Sequence, residues 1–565
     1  MSSPTEQQQP ANEKLTEKEL AKLEKKRAKE EAKRQKEEAK AARLAEEKRR
    51  LEGPDVPYQE LVTGEQKFGH TFIQSQVKSL GRKFTKVTHL DATMKDQKVW
   101  IRARCQNTRK QGGKLSFVTL RQGLGTVQVV VFGGDIAKFA GNLTKESVVD
   151  LYGTITLPEE PIRSTTQSEV ELQAERIFCI SRAEALPLQF EDLERTEADI
   201  DAGEGARVSL DTRLDNRVID LRTKANQAIL RIQSGVSMLF REYLIKQGLV
   251  EMHTPKLLGA ASEGGADVFK VQYFDRNAYL AQSPQLYKQM ALMTDLPGVF
   301  EIGPVFRAEK SLTHRHMTEF VGLDMEMRFA DNYHEVLDVI DGTFDHIFHG
   351  LNERFSSELE AVRAQYPFKD LIWTKPCNRF TFAQAMGILR KEGPAYLERD
   401  IAHYEKLGET KRVDEIKEHL ATVVKHEEDE DMGTSDEKLL GRIMHDLYDT
   451  DFYIIDKFPA SVRPFYTMPD PVDPKWTNSY DIFIRGEEVT SGAQRIHDAN
   501  MLAEKAQRLG VELSTIQPYV DAFKYGSYPH AGAGVGLERV VMLFLGLPNI
   551  RLVSMFPRDP KRLTP

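Results

Sequence analysis

The stretch from Phe300 to Met327, FEIGPVFRAEKSLTHRHMTEFVGLDMEM, places the strongest constraint on this chain. Two apolar runs, Val299 to Phe306 and Phe320 to Met325, alternate well enough to be adjacent antiparallel strands, so the segment between them is a hairpin tip. That tip carries Arg307, His314, Arg315 and His316. Cations fixed at the end of a rigid sheet suit a polyphosphate, and a guanidinium forks onto a pair of phosphate oxygens. A solvated basic loop on an ordinary hairpin would read the same way. Asp324 and Glu326 count against it: they alternate with Leu323 and Met325 in a strand expected to be buried, where carboxylates need a lysine or a substrate amine as partner.

With 565 residues the chain is too long for one core, and about two to four domains are expected. A net charge of −8 means that any attraction to a polyanion must be local. Cys105, Cys179 and Cys377 are far apart and form no metal-ligand spacing, so they read as reduced thiols of a cytosolic protein. The start, MSSPTEQQQPANEK, lacks the apolar run of a secretory signal and is too acidic for a mitochondrial presequence, and no run is long enough to span a membrane. A cytoplasmic location is expected.

Residues 1–52 are read as a lysine-rich extension, helical or disordered. Lys22, Lys26, Lys29 and Lys33 fall on one stripe of a helix, either a solvated charged face or a sequence-blind clamp on an RNA backbone. A connecting segment, 53–84, precedes a β-rich region, 85–186. Its five strand-like runs predict a small closed barrel of the OB type, which binds single-stranded nucleic acid. Phe117, Arg121 and Gln128 lie on its second and third strands. An acidic, turn-rich hinge, 187–220, leads to a large α+β domain, 221–565, with a charged helical insertion around 381–450 that reads as peripheral and in which no chemistry is legible.

Within that domain a helix from Thr223 to Gln247 leads to a strand ended by Pro255, a pattern equally consistent with core packing and with a subunit interface. Glu263-Gly264-Gly265 reads as a lid. A helix starting at Pro284 would aim Gln285 and Lys288 the same way. Asp481 and Glu488 bracket a strand-like run and offer hard oxygens to Mg²⁺ on phosphates. GAGVGLERVVMLFLG, from residue 532, reads as a glycine-rich turn opening an apolar helix, with Arg539 a lone cation on it.

Together these stretches resemble a class IIb aminoacyl-tRNA synthetase of the cytoplasmic eukaryotic, fungal-like, aspartate-specific family. The helix and strand ending at Pro255, the FRAE…THRHMTEF hairpin and GVGLER match its three class motifs, and SPQLYKQ, GLDMEM, GEEVTSGAQRIHD and SMFPRDPKRLTP match its aspartyl-specific strings. The resemblance implies an antiparallel catalytic sheet with helices behind an OB barrel, and a homodimer formed through the first motif. It implies ATP-dependent attachment of L-aspartate to its tRNA through an aspartyl-adenylate, with Mg²⁺ accompanying ATP.

Mapped residue by residue, Arg307, Glu488 and Arg539 would be catalytic. ATP would meet Arg307, Ala308, Glu309, Arg315, His316, Met317, Phe320, Glu488, Gly536, Leu537, Glu538 and Arg539. Aspartate would meet Glu263, Gln285, Lys288, Arg307, Asp324, Ser491 and Arg495, with Asp324 holding Lys288. Mg²⁺ would take Asp481, Glu488 and Ser491. The tRNA would meet Phe117, Arg121, Gln128 and Glu171 in the barrel, Glu309, Ser311 and Thr313 on the hairpin, and the lysine stripe. The chain departs from the family at Lys310, Leu312 and Ala533. Two rivals are an asparaginyl-tRNA synthetase and a catalytically silent RNA-binding scaffold. Lys288 with Arg495 speaks for a substrate carboxylate against the first, and intact Arg307, Glu488 and Arg539 speak against the second.

Overall fold

The structure is a computed structural model and describes Glu31, Lys36 and residues 53–75, 78–260 and 268–565. Lys22, Lys26, Lys29, Lys33 and Glu263 lie outside the described residues. The chain divides into two compact units, residues 1–187 and 188–565. Among the described residues no helix is long and apolar enough to cross a membrane.

In the first unit, alternating strands wrap around one apolar core that includes Val118, Leu120, Val129, Leu151 and Ile177. The strands are β1 (Phe68–His70), β2 (Lys98–Gln111), β3 (Leu115–Gln122), β4 (Gly125–Phe132), β5 (Val148–Thr156) and β6 (Glu171–Ser181). Their order is β1-β6-β4-β3-β2-β5, and pairing of β5 with β6 closes the barrel. The connecting segment expected over 53–84 is part of this unit. Its β1 runs parallel to β6, and Arg82 reaches the buried Asp150 at 2.6 Å.

The second unit is built on an eight-stranded sheet in the order β13-β14-β15-β16-β17-β12-β11-β7. The strands are β7 (Val250–Glu251), β11 (Gly298–Phe306), β12 (Glu319–Arg328), β13 (Asn378–Thr381), β14 (Phe452–Asp456), β15 (Ser479–Ile484), β16 (Glu487–Gln494) and β17 (His530–Gly536). A smaller sheet holds β8 (Leu257–Leu258), β9 (Lys270–Tyr273) and β10 (Arg276–Leu280). β11 and β12 are antiparallel neighbours, from Gly298 opposite Met327 to Phe306 opposite Glu319, as the hairpin reading expects.

The helix Lys224–Lys246 buries Ile229, Ile232, Val236, Leu239 and Phe240 along one face. Each such side chain is worth roughly 1.5–3 kcal/mol when fully buried. The helix packs on His334–Arg354, where Gly350 has no room for a side chain: a Cβ there would lie 2.4 Å from Leu239.

Two expectations are corrected. The 187–220 hinge is a set of short helices tied into the second unit. Arg217 is 1% exposed and donates to Asp220 at 2.6 Å and to the carbonyls of Ser554 and Leu552 at 2.6 and 3.2 Å. A buried guanidinium needs that many acceptors. The helical insertion shares a core with the large sheet, Phe382, Leu389, Leu440 and Ile443 packing with Tyr453, Ile455 and Phe483, and it is not peripheral to the site, as its helix Thr434–Tyr448 shows below.

Candidate active site

A cavity of about 360 Å³ opens on the face formed by β11, β12, β16 and β17. Strand register orders its wall. Gly322 lies opposite Gly536 and Asp324 opposite Gly534, and Ser491 lies beside Gly534 on the other flank. Phe320, Gly536 and Arg539 therefore mark one end, and Asp324 with Arg495 the other.

The glycines of GAGVG stand in β17 and not in a turn, and only Leu537–Phe544 is helical. Their function is space. A Cβ on Gly532 would lie 2.2 Å from Glu326 Oε2, and one on Gly534 would lie 3.1 Å from Asp324 Oδ1. The carboxylates of β12 lie across the glycine positions of this strand, where no side chain obstructs them.

At the first end Arg307, Arg315, His316 and Arg539 converge on the cavity. The Arg307 guanidinium stands 5.6 Å from the Phe320 ring centroid and 3.9 Å from Glu309. Arg539 donates to the Glu488 carbonyl at 3.0 Å. Burial, then the neighbouring Arg539, lowers the affinity of His316 for its proton, and the ring bonds Thr313. Met317 is buried, Ala308 half-buried, and Lys310, Leu312 and Thr313 at the loop tip are exposed, with Ser311 intermediate. Glu538 is buried and accepts from the Val321 amide at 3.1 Å, so it fastens β12 to the last helix rather than facing solvent. Burial pushes its carboxyl up to about 7.

Arg315 is held from the insertion, by Glu437 at 2.7 Å and Thr434 at 2.8 Å. Burial pushes Glu437 up to about 7 despite that partner. The next residue, Lys438, lies 3.4 Å from Glu487, which also pairs with His314 at 2.9 Å.

At the other end four charges interlock. Lys288, 1% exposed, donates to Asp324 and to the Ala533 carbonyl, both at 3.0 Å, and lies 3.6 Å from Glu326. Arg495 forks onto Glu326 at 2.9 and 3.1 Å. Burial raises Glu326, but Arg495 and Lys288 outweigh it and hold the carboxyl below its ordinary range. Gln285 lines the cavity, and its Nε2 is buried without a hydrogen-bond partner. Gln285, Asp324 and Arg495 thus reach the wall. Lys288 belongs to the same network, held by Asp324 as expected, but is not among the residues that line the cavity.

The expected metal ligands are arranged differently from the sequence reading. Asp481 is forked by Arg463 at 3.1 and 2.7 Å, and Arg463 also donates to Ser491 at 2.9 Å. Burial raises the Asp481 carboxyl to about 6, with Arg463 opposing and Glu488 adding. Among the described residues no cluster of three or more His, Cys, Asp or Glu could hold a metal. Glu488 lines the cavity, and no described side chain bonds its carboxylate.

On the barrel, Phe117 is half-buried beneath the Arg109 guanidinium, 4.7 Å from its centroid, and Gln128 donates to Glu171 at 3.1 Å across β4 and β6. Arg121 is corrected: it is 5% exposed and bound to Glu146 at 2.6 Å, so it is a structural ion pair rather than a binding-face cation.

Sequence reasoning singled out Glu326 with Asp324 as a buried carboxylate in need of a partner but did not place it in the aspartate-binding set. It also missed Arg463, Glu437 and Glu487, for which the sequence carries no local sign.

Comparison with known proteins agrees with this geometry. A family described as tRNA synthetases class II (D, K and N) matches residues 209–560, and one described as OB-fold nucleic acid binding domain matches residues 99–180. The cytoplasmic aspartate–tRNA ligase of Homo sapiens is 50% identical over 501 residues, 88% of this chain and 94% of that protein. That of Caenorhabditis elegans is 49% identical over 494 residues, 85% of this chain and 87% of its own. Among solved structures, the aspartyl tRNA synthetase from Entamoeba histolytica superposes with a TM-score of 0.77 at 43% identity, covering 90% of this chain and 98% of that one. The asparaginyl-tRNA synthetase from Pyrococcus horikoshii, complexed with asparaginyl-adenylate, reaches 0.69 at 27% identity, covering 86% and 100%. By sequence and by fold, the chain belongs to the class II tRNA synthetases, within the family of cytoplasmic aspartate–tRNA ligases.

Proposed function

We propose that the chain activates L-aspartate with ATP and transfers it to the aspartate tRNA. The observation that carries this reading is the paired network Lys288–Asp324–Glu326–Arg495 at the end of a cavity whose other end gathers Arg307, Arg315, His316 and Arg539. One end suits a charged amino acid and the other a triphosphate.

In the mechanism that follows, Arg307 would bind the α-phosphate and the aspartate carboxylate and stabilise the charge that builds as the carboxylate attacks phosphorus and pyrophosphate leaves. Phe320 would lie against the adenine. Arg539 and His316, with Arg315 beside them, would hold the outer phosphates. Arg495, held in place by Glu326, would meet the substrate side-chain carboxylate, with the buried Lys288 adding positive charge from beneath Asp324, while Gln285 would donate its unpaired amide hydrogen. No residue is needed as a nucleophile: positioning and charge stabilisation supply the rate. In the second step the terminal ribose hydroxyl of the tRNA would attack the adenylate.

Mg²⁺ would accompany ATP. The free carboxylate of Glu488, a hard oxygen donor, suits it together with phosphate oxygens, whereas Asp481 and Ser491 are engaged by Arg463. Bound there, the ion would neutralise phosphate charge.

In the barrel, Phe117, Gln128 and Glu171 would read the anticodon by stacking and edge contacts. The hairpin tip from Glu309 to Thr313 would meet the acceptor end, with Lys310 and Leu312 altering that contact. A homodimer through the Lys224–Lys246 helix and the strand after it is supported by the exposed apolar residues Met238, Ile245, Val250 and Leu257. Aminoacylation with labelled aspartate tests the reading. Purified aspartate tRNA should be charged, and failure to charge it with either aspartate or asparagine would favour a silent scaffold.

A further inference from the structure

The fork of Arg463 on Asp481 has no counterpart in the sequence reading, which gave that carboxylate to a metal. Arg463 follows the turn Ala460–Val462, lies over the Phe458 ring at 4.0 Å from its centroid, and is 9% exposed. Both terminal nitrogens are bound to Asp481 and one also to Ser491, while the Nε is buried without a hydrogen-bond partner. Asp481 and Ser491 face each other across β15 and β16, so one guanidinium spans two of the three oxygen donors that the family resemblance assigns to Mg²⁺. The third, Glu488, lines the same cavity as Arg463 and Ser491, and no described side chain bonds its carboxylate.

A bidentate guanidinium already supplies the charge that a buried carboxylate needs. A divalent ion seated between Asp481 and Glu488 would have to displace it, losing two charge-assisted bonds and the bond to Ser491. An ion arriving on a polyphosphate brings most of its ligands with it and does not depend on Asp481 for capture. The displaced guanidinium, already on the cavity wall between Val462 and Pro464, would be free to take an anionic oxygen of the substrate.

We propose that Arg463 is an exchangeable resident cation. It neutralises Asp481 while the site holds no nucleotide, keeps the carboxylate pair from binding free divalent metal, and gives way only when metal and nucleotide enter together. This rests on the reading of the cavity as an ATP site, but its first test needs no ATP.

Mn²⁺ binding to the full chain is followed by the electron paramagnetic resonance signal of the free ion. Without nucleotide the wild type should bind Mn²⁺ weakly. Arg463→Met should gain a site at least about tenfold tighter, which disappears again in Arg463→Met/Asp481→Asn. Arg463→Lys keeps a cation but cannot fork both oxygens, and should lie between the two. If folded Arg463→Met and Arg463→Lys both bind Mn²⁺ no better than the wild type, or if the gained site survives Asp481→Asn, the proposal is wrong. Should Arg463→Met fail to fold, Arg463→Lys alone decides. A second arm separates the two readings: in equilibrium dialysis of labelled ATP with Mn²⁺ against the wild type, absence of bound nucleotide refutes the ATP site, whatever the metal-only arm shows.

Discussion

Arg315, in the tip between β11 and β12, donates to Glu437, a residue 122 positions further along the chain at the start of the Thr434–Tyr448 helix. The insertion therefore grips the loop at the cationic end of the cavity. Gly441 of the same helix packs so closely on the β15–β16 turn that an added Cβ would lie 2.3 Å from Gly486, which leaves the helix little freedom to shift.

Replacing that partner should act on ATP and not on aspartate. Glu437→Gln removes the acceptor's negative charge and leaves Arg315 a weaker hydrogen bond to an amide oxygen, and about tenfold in the KM for ATP is expected, with the KM for aspartate unchanged. Steady-state pyrophosphate exchange, with each substrate varied in turn, measures both. Equal changes in the two constants would mean that Glu437 acts on the whole site and not through Arg315.

Removing Lys288 should cost stability as well as activity. Asp324 and Glu326 would be left buried with one cation fewer, and loss of one partner from a buried pair costs about 3–5 kcal/mol. Lys288→Met should therefore melt well below the wild type and fail to activate aspartate. The double variant Lys288→Met/Asp324→Asn should recover part of the stability and none of the activity. Calorimetry with the exchange assay checks both, and an unaltered melting temperature for the single variant would contradict the network.

Much of this end of the site was legible because it is chemically self-complementary. A lysine three residues after Gln285 and an acid inside an apolar strand call for each other, and the hairpin itself is local in sequence. Arg121 was misjudged because its partner Glu146 is a further 25 residues along the chain and only barrel closure brings them together. The glycines of β17 were taken for a turn because glycine signals flexibility in a one-dimensional reading. Here it signals the width of the Asp324 and Glu326 side chains lying across the strand. Arg463 and Glu437 were invisible for the same reason as Glu146: they come from segments whose own patterns are ordinary.

Glu538 gives the fold a pH signature. Its folded pKa of about 7 lies above the ordinary 4.5, so the folded state keeps a proton that the unfolded chain releases. Stability from this residue is therefore complete below about pH 4.5 and is lost as pH rises towards 7, by something on the order of 3 kcal/mol. Glu538→Gln should flatten the fall in stability over that window, as followed by urea unfolding at several pH values. An unchanged slope would show that the buried carboxyl does not titrate there.

Gln128 lies in the barrel unit and the adenylate chemistry in the other, so the two should separate kinetically. Gln128→Ala loses its bond to Glu171 and any contact with a base, and kcat/KM for the tRNA should fall by about tenfold or more. Pyrophosphate exchange without tRNA should be unaffected. A matching loss in exchange would show that the substitution damages the protein and not tRNA recognition.

The most direct test of the central claim is amino-acid-dependent ATP–pyrophosphate exchange by the purified chain, run in parallel with aspartate and with asparagine. The charge network of Lys288, Asp324, Glu326 and Arg495 predicts rapid exchange with aspartate and at most a trace with asparagine. Exchange supported by asparagine and not by aspartate would contradict it.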